Sequence, residues 1–285
     1  MEVDVTPDEI PDGTPDVTSD EIPGVTPSGT LDGKLNGIVL LYLDQNYASR
    51  VAKFLIGQAS HDAFGEVHGA LERATQRHAN GAGPMVCAPP SSFHVLETRG
   101  GYLLPTMKTF FAAFSWGLWL RPWQEVVRRQ AARGGWLERD DLLSNEGSWE
   151  LAANLGEMAG IEHEAPSGGF FERTLRYREE IALRLGMPPN TARVLPFVRL
   201  LARMLAFRGL DRVRVQGRDP QVSDLADLVM AATVGPYVDA LATDRYVREV
   251  LQRVGFDKPA YSGRRLDVLR LARDLDGGWL AGGGS

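Results

Sequence analysis

Apolar and polar positions along the chain fall into two recurring patterns. Ile38-Val-Leu-Leu-Tyr-Leu43 is a β-branched and aliphatic run of buried-strand type, and Met85-Val-Cys-Ala88 is a shorter one. Elsewhere apolar residues recur at helical spacing. That spacing predicts helices over about 47–57, ended by Gly57, and over His61–His78, closed by Asn80-Gly-Ala-Gly-Pro84. An apolar helix is expected over Thr106–Leu120 and an amphipathic successor over Trp123–Ala132. The middle, about 137–210, reads as helical, with segments Asp141–Met158, Phe170–Gly186 and Thr191–Arg208. Near the end the pattern is helix Asp224–Val234, strand Tyr237–Ala242, helix Asp244–Val254 and a last amphipathic helix within 260–280. Strands alternating with helices at both ends of the chain predict an α/β fold, a parallel sheet flanked by helices, with a helical insertion at about 137–215.

The polar edges of these apolar runs carry acids. Asp44 follows the first strand and Asp244 the last. Asp227 sits in the first turns of a helix whose other face is Leu228, Met230, Ala231 and Val234. Glu97 follows the Met85–Ala88 run through the Pro89-Pro90 corner, with His94 nearby. In parallel α/β sheets, sites form outside the carboxyl ends of the strands. Three or four carboxylates on one rim repel at neutral pH unless a cation sits between them. An all-oxygen shell suits Mg²⁺ or Mn²⁺, and such an ion can activate a water toward a phosphorus. Each acid also has a plainer role open to it. Asp44 and Asp244 can be helix N-caps, and Asp224 and Asp227 can complement a helix dipole. Asp224, Asp227 and Asp239 compete to complete the cluster, and Asn46 is placed to orient a ligand from behind.

Composition refines this picture. Of the 285 residues, 44% are hydrophobic and 24% charged, as in ordinary globular domains. The net charge of −6 is uneven. Residues 1–34 hold nine acids and one base, so the remainder carries 30 bases against 28 acids. Val5-Thr-Pro-Asp-Glu-Ile-Pro11 returns as Val17-Thr-Ser-Asp-Glu-Ile-Pro23, and the stretch reads as a disordered acidic tail. Cys87 is the only cysteine, which rules out an intrachain disulfide and cysteine zinc sites and suits a reducing compartment. No apolar run reaches the ~20 residues of a spanning helix. No signal-peptide pattern opens the chain. The expectation is a cytoplasmic protein with no membrane partner.

No phosphate-binding Gly-x-x-x-x-Gly-Lys-Ser/Thr loop, strand-following Gly-x-Gly-x-x-Gly or Gly-x-Ser-x-Gly elbow is present. The haloacid-dehalogenase pattern breaks at Asn46, where a second acid belongs. His61 and His68 share a helix face without a third ligand nearby, and Trp116, Trp119 and Trp123 form a stripe at helical spacing that suits packing. Leu41-Tyr-Leu-Asp-Gln-Asn46 with its following helix resembles the opening of PIN-like domains, a metal-dependent ribonuclease superfamily. Asp227-Leu-Val-Met-Ala-Ala232, a strand, and Ala242-Thr-Asp244 are similar to that family's closing signature. Pro90-Ser-Ser-Phe-His-Val-Leu-Glu97 looks like the segment with its middle acid. The resemblance covers roughly 38–130 and 220–255 within an expected domain of 35–280. It implies a PIN-like fold, metal-ligating roles for Asp44, Glu97, Asp227 and Asp244, and RNA as substrate. Arg212 and Arg214 in the basic 199–218 stretch, with Arg264 and Arg265, are the expected phosphate contacts. A toxin or defence role with an inhibitor protein, and an oligomeric state, are compatible with such an enzyme. The alternative is a catalytically silent PIN-like scaffold that binds RNA or protein.

Overall fold

The computed structural model describes residues 38–58, 63–98, 101–150, 152–161, 167–214 and 222–278, with backbone alone for 209–214, 222–223 and 278. The acidic tail, His61 and Arg218 lie outside the described residues. Described strands are β1 (Ile38–Leu43), β2 (Met85–Cys87), β3 (Trp119–Leu120), β4 (Leu143–Ser144), β5 (Ala240–Thr243) and β6 (Ala260–Ser262). The principal sheet has the order β2-β1-β5-β6, and all three of its pairings are parallel. β3 and β4 form a separate antiparallel pair.

Parallel strands need helical crossovers, which cover both faces and bury the strands twice over. β1 shows this in its alternation. Leu40 and Tyr42 enter one core and Leu41 and Leu43 the other. All four are 4% exposed or less, and each full burial of such a side chain contributes roughly 1.5–3 kcal/mol. The face of Leu41 is covered by α1 (Gln45–Leu55), α2 (Ala63–Ala79), α4 (Leu104–Phe114) and α12 (Arg265–Arg273). The face of Leu40 is covered by α5 (Trp123–Arg133), α7 (Phe170–Arg184), α9 (Pro196–Arg214), α10 (Val222–Val234) and α11 (Arg245–Arg253). The short helices α3 (Ser92–Thr98), α6 (Arg139–Leu142) and α8 (Pro189–Ala192) complete the described set. Residues 137–205 do not stand apart. Leu142, Tyr177, Ile181, Phe197 and Leu201 share one core with β1. No helix among the described residues is long and apolar enough to cross a membrane.

Several elements differ from the sequence expectation. The expected helix over Thr106–Leu120 stops at Phe114, because Trp116 (φ 56°) and Gly117 (φ 74°) take left-handed backbone and turn the chain into β3. The tryptophan stripe is therefore split. Trp116 lies in a turn, Trp119 in β3, and Trp123 in α5, stacked on Phe197 at 5.6 Å. The expected helix Asp141–Met158 reduces to the end of α6, β4, a loop and a 3₁₀ turn at Gly156–Met158. Pro196 starts α9 five residues later than Thr191. Tyr237 and Val238 precede β5 rather than belong to it, and the first part of the expected last helix is β6.

Asp239 lies just before β5, at the sheet edge opposite the strand ends, and serves the fold. Its Oδ2 accepts from the amide of Leu40 at 2.8 Å, while its Oδ1 accepts from Arg139. The carboxylate thus extends the β1–β5 ladder by one acceptor. Asp239→Ala should leave the Leu40 amide unpaired and cost about 1–3 kcal/mol, read by urea denaturation.

Candidate metal centre at the β1–β5 switch point

β1 connects to β2 on one side, and β5 to β6 on the other, so the sheet order reverses between β1 and β5. At such a point the crossovers diverge and leave a crevice outside the strand ends. The residue that follows each strand there is an aspartate. Asp44 (φ −67°, ψ 170°) caps α1, its Oδ1 accepting from the Tyr47 amide at 2.7 Å. Asp244 (φ −70°, ψ 170°) caps α11 in the same way, its Oδ1 accepting from the Val247 amide at 2.7 Å. The Asp44 amide donates to the Ala242 carbonyl at 2.8 Å and ties the two joints together. Capping and site roles therefore coexist, since a cap occupies one carboxylate oxygen and leaves the other. Asp44 is 4% exposed, and its Oδ2 is buried with no hydrogen-bond partner of normal geometry.

Four acids share this edge closely enough to perturb one another. Burial, then hydrogen bonds from Tyr47 and Thr243 that oppose it, and the charge of Asp244 bring Asp44 to about 7. Asp227 rises to about 9 through burial first, then Asp44, Glu97, Asp244 and Asp224. Glu97 rises to about 7 through burial first, then Asp44 and Asp244; the residue is exposed, and solvent screens that shift. Beneath them Tyr42 is buried, and its phenol is held well above its ordinary range by burial and by Asp44, Asp227 and Glu97. Asp224, the rival to Asp227, forms an ion pair with Arg208 at 3.3 Å. One helical turn on, Asp227 is the α10 acid that joins the cluster most strongly.

The donor set is all oxygen, and the buried Asp44 Oδ2, which has no hydrogen bond of normal geometry, is the kind of group a hard cation satisfies. Among the described residues, however, no three His, Cys, Asp or Glu side chains are drawn together tightly enough to form a ready metal cage. Asn46 is exposed at the start of α1 and lines a cavity of about 270 Å³ with Thr243 and Asp244. Arg264 caps α12 and lines the same cavity, while Arg265 is the first residue of that helix and exposed. Arg212 and Arg214 fall in α9, with their side chains outside the described residues. His68 packs against Phe110 and Phe114 and faces Glu72, away from the acids.

His94 plays a larger part than its sequence context suggests. It is fully buried, and its Nδ1 accepts from the Ser91 amide at 3.0 Å. An amide can only donate and a carbonyl only accept, so Nε2 carries the proton and donates to the Leu43 carbonyl at 2.7 Å. Burial lowers its pKa to about 4, so the ring is neutral. His94 thereby pins α3, which bears Glu97, to the end of β1, which bears Asp44. Tyr42, His94 and Ser91 are all buried, the Tyr42 and His94 rings meeting edge-on at 5.7 Å. The packing of a ring under a strand end leaves no periodic signal in the sequence.

His94→Ala should orphan the Leu43 carbonyl and the Ser91 amide and cost about 1–3 kcal/mol for each, measured by chemical denaturation. The carboxyl shifts set a second expectation. Folded values of about 7 to 9 lie above the unfolded values of about 4. Folding therefore binds protons, and this contribution is complete below about pH 4 and lost as pH rises through 7 and then 9. Without metal, Tm should fall from pH 5 to pH 9, and Asp227→Asn should flatten that fall. An equally steep fall in the variant would remove Asp227 from the coupled group.

Comparison of the chain with family models, with curated proteins and with solved structures finds no match, so the functional reading stands on the residues and their geometry.

Proposed function

We propose that this chain is a metal-dependent nuclease that hydrolyses phosphodiester bonds, with RNA as substrate. The observation that carries the reading is the position of Asp44 and Asp244 at the ends of the paired parallel strands β1 and β5, with Asp227 and Glu97 near enough to be shifted by their charges. Asp44, Asp227 and Asp244 would hold Mg²⁺ or Mn²⁺, with Glu97 assisting directly or through water. Such an ion lowers the pKa of a bound water and stabilises charge developing on a phosphate. The chain's own residues prepare the place. The caps at Asp44 and Asp244 fix the two strand-end carboxylates by one oxygen each. His94 sets the position of α3 against β1, and buried Tyr42 packs edge-on against its ring. The preference for RNA, the PIN-like identity, a toxin or defence role and an inhibitor protein belong to this proposal through the resemblance of Leu41–Asn46, Pro90–Glu97 and Asp227–Asp244. A second reading, a silent scaffold for RNA or protein, draws on the acid side chains standing apart rather than closed into a cage.

Cleavage of a labelled single-stranded RNA with Mn²⁺, with EDTA and by Asp44→Asn separates the two. The enzyme reading expects cleavage with Mn²⁺, none with EDTA, and a loss in Asp44→Asn beyond the roughly 10–100-fold that removing an outer partner costs. Equal cleavage by wild type and variant would end the catalytic assignment.

A further inference from the structure

Beside the acids, on the β5–β6 side, lies the cavity of about 270 Å³. That is just below the roughly 300–1,000 Å³ of sites for drug-sized ligands, so it suits a small anion or one sugar-phosphate unit. Three helix starts border it: the first turn of α1 with Asn46 and Tyr47, α11 at its first residue Arg245, and α12 at its cap Arg264. Their positive dipole ends face this region, while Asp44 and Asp244 already take the Tyr47 and Val247 amides. Arg50, Arg245 and Arg264 line the cavity with one carboxylate, Asp244; with Arg245 paired to Glu249, one positive charge is left over. Arg50 is held in place. Its Nη1 donates to the Gly263 carbonyl at 3.3 Å, its guanidinium lies 5.7 Å from the Phe64 ring centre, and a Cβ on Gly263 would come within 3.2 Å of Nη1. Arg245 donates to Glu249 at 2.8 Å, which uses only part of its donor set. The Glu249 carboxylate is held below its usual range by that bond, with Arg245, Arg264 and Arg253 adding to it, so these cations crowd one surface.

An independent feature points to a ligand. Tyr47 lines the cavity, is 1% exposed, and its hydroxyl is buried with no hydrogen-bond partner among the described residues. Burial and then the charges of Asp44, Asp267 and Tyr261 hold its phenol well above the ordinary range, with Arg50 acting the other way. A buried donor left unpaired is costly, and an anion in the cavity would satisfy it.

We propose that this cavity is a phosphate subsite that holds a backbone phosphate of a nucleic-acid strand directly beside the acidic cluster. Tyr47, Arg50 and Arg264 are its binding groups, and Asp244 is the wall it shares with the acids. The identity of the strand rests on the nuclease reading, whereas the affinity for phosphate does not.

The test uses the full chain in EDTA, so no metal-dependent cleavage intervenes. Anisotropy of a labelled single-stranded RNA is followed from 50 to 200 mM salt for wild type, Arg50→Gln/Arg264→Gln and Tyr47→Phe. The double variant should bind about tenfold more weakly, with a salt slope shallower by about 0.7 for one phosphate no longer neutralised. Tyr47→Phe should also weaken binding, by roughly tenfold for a bond to a charged group, while keeping or raising Tm in phosphate-free buffer. A structural role for the hydroxyl would instead lower Tm. Strands with and without a 5′-phosphate separate a terminal from an internal phosphate, and dependence on either supports the subsite. Unchanged affinity and slope in the double variant overturn it, as does a Tm response to inorganic phosphate alone without any effect on strand binding. Failure of Asp44→Asn to alter cleavage would sink the nuclease reading and leave these binding measurements standing.

Discussion

β1 is hydrogen-bonded to a parallel neighbour on each side and buried on both faces. That double constraint governs the placement of everything else. Its side-chain alternation divides the interior into two cores, and a slip of one residue would exchange them. Since β5 pairs along Leu41–Leu43 and β2 along Ile38–Leu40, the strand is gripped over its whole length and its end is fixed. Asp44 inherits that fixity, and α1 starts from it. A carboxylate at the end of such a strand cannot retreat to water as a surface acid would.

The consequence is an edge under electrostatic tension. Burial and like-charged neighbours act against ionising Asp227, and the same forces act less strongly on Asp44. Helix starts ease the conflict by offering amides to Asp44 and Asp244. Neighbouring Arg50, Arg245 and Arg264 then give the edge a second, opposite character only a short way along the sheet. Acids and guanidinium groups are kept apart by their elements: the acids at the ends of β1 and β5 and on α3 and α10, the guanidinium groups on α1, α11 and the α12 cap. Both kinds of charge lie along one edge of the sheet.

Much of this edge was legible in the sequence because acids that end apolar runs stand out against hydrophobic periodicity. Asp44, Asp227 and Asp244 were all visible that way, and the strand–helix alternation implied the parallel sheet. What escaped detection has particular causes. β6 is three residues, Ala260-Tyr-Ser262, too short to show a period. Thr109–Leu120 is apolar enough to look helical, and only the backbone of Trp116 and Gly117 reveals the break. Asp239 appeared to lie within a strand, but β5 starts one residue later, which puts its carboxylate on the Leu40 amide. Arg50 and Tyr47 carried no motif; the meaning of Arg50 comes from Gly263, 213 positions away in the chain.

The two aspartate joints are alike in backbone angles and in the length of the cap bond. Each gives one oxygen to the helix it caps. Asparagine caps a helix about as well as aspartate, and a single base change converts one codon into the other. Asparagine at either joint would therefore remove a carboxylate from this edge while keeping the cap, so charge and fold are separable at these two positions.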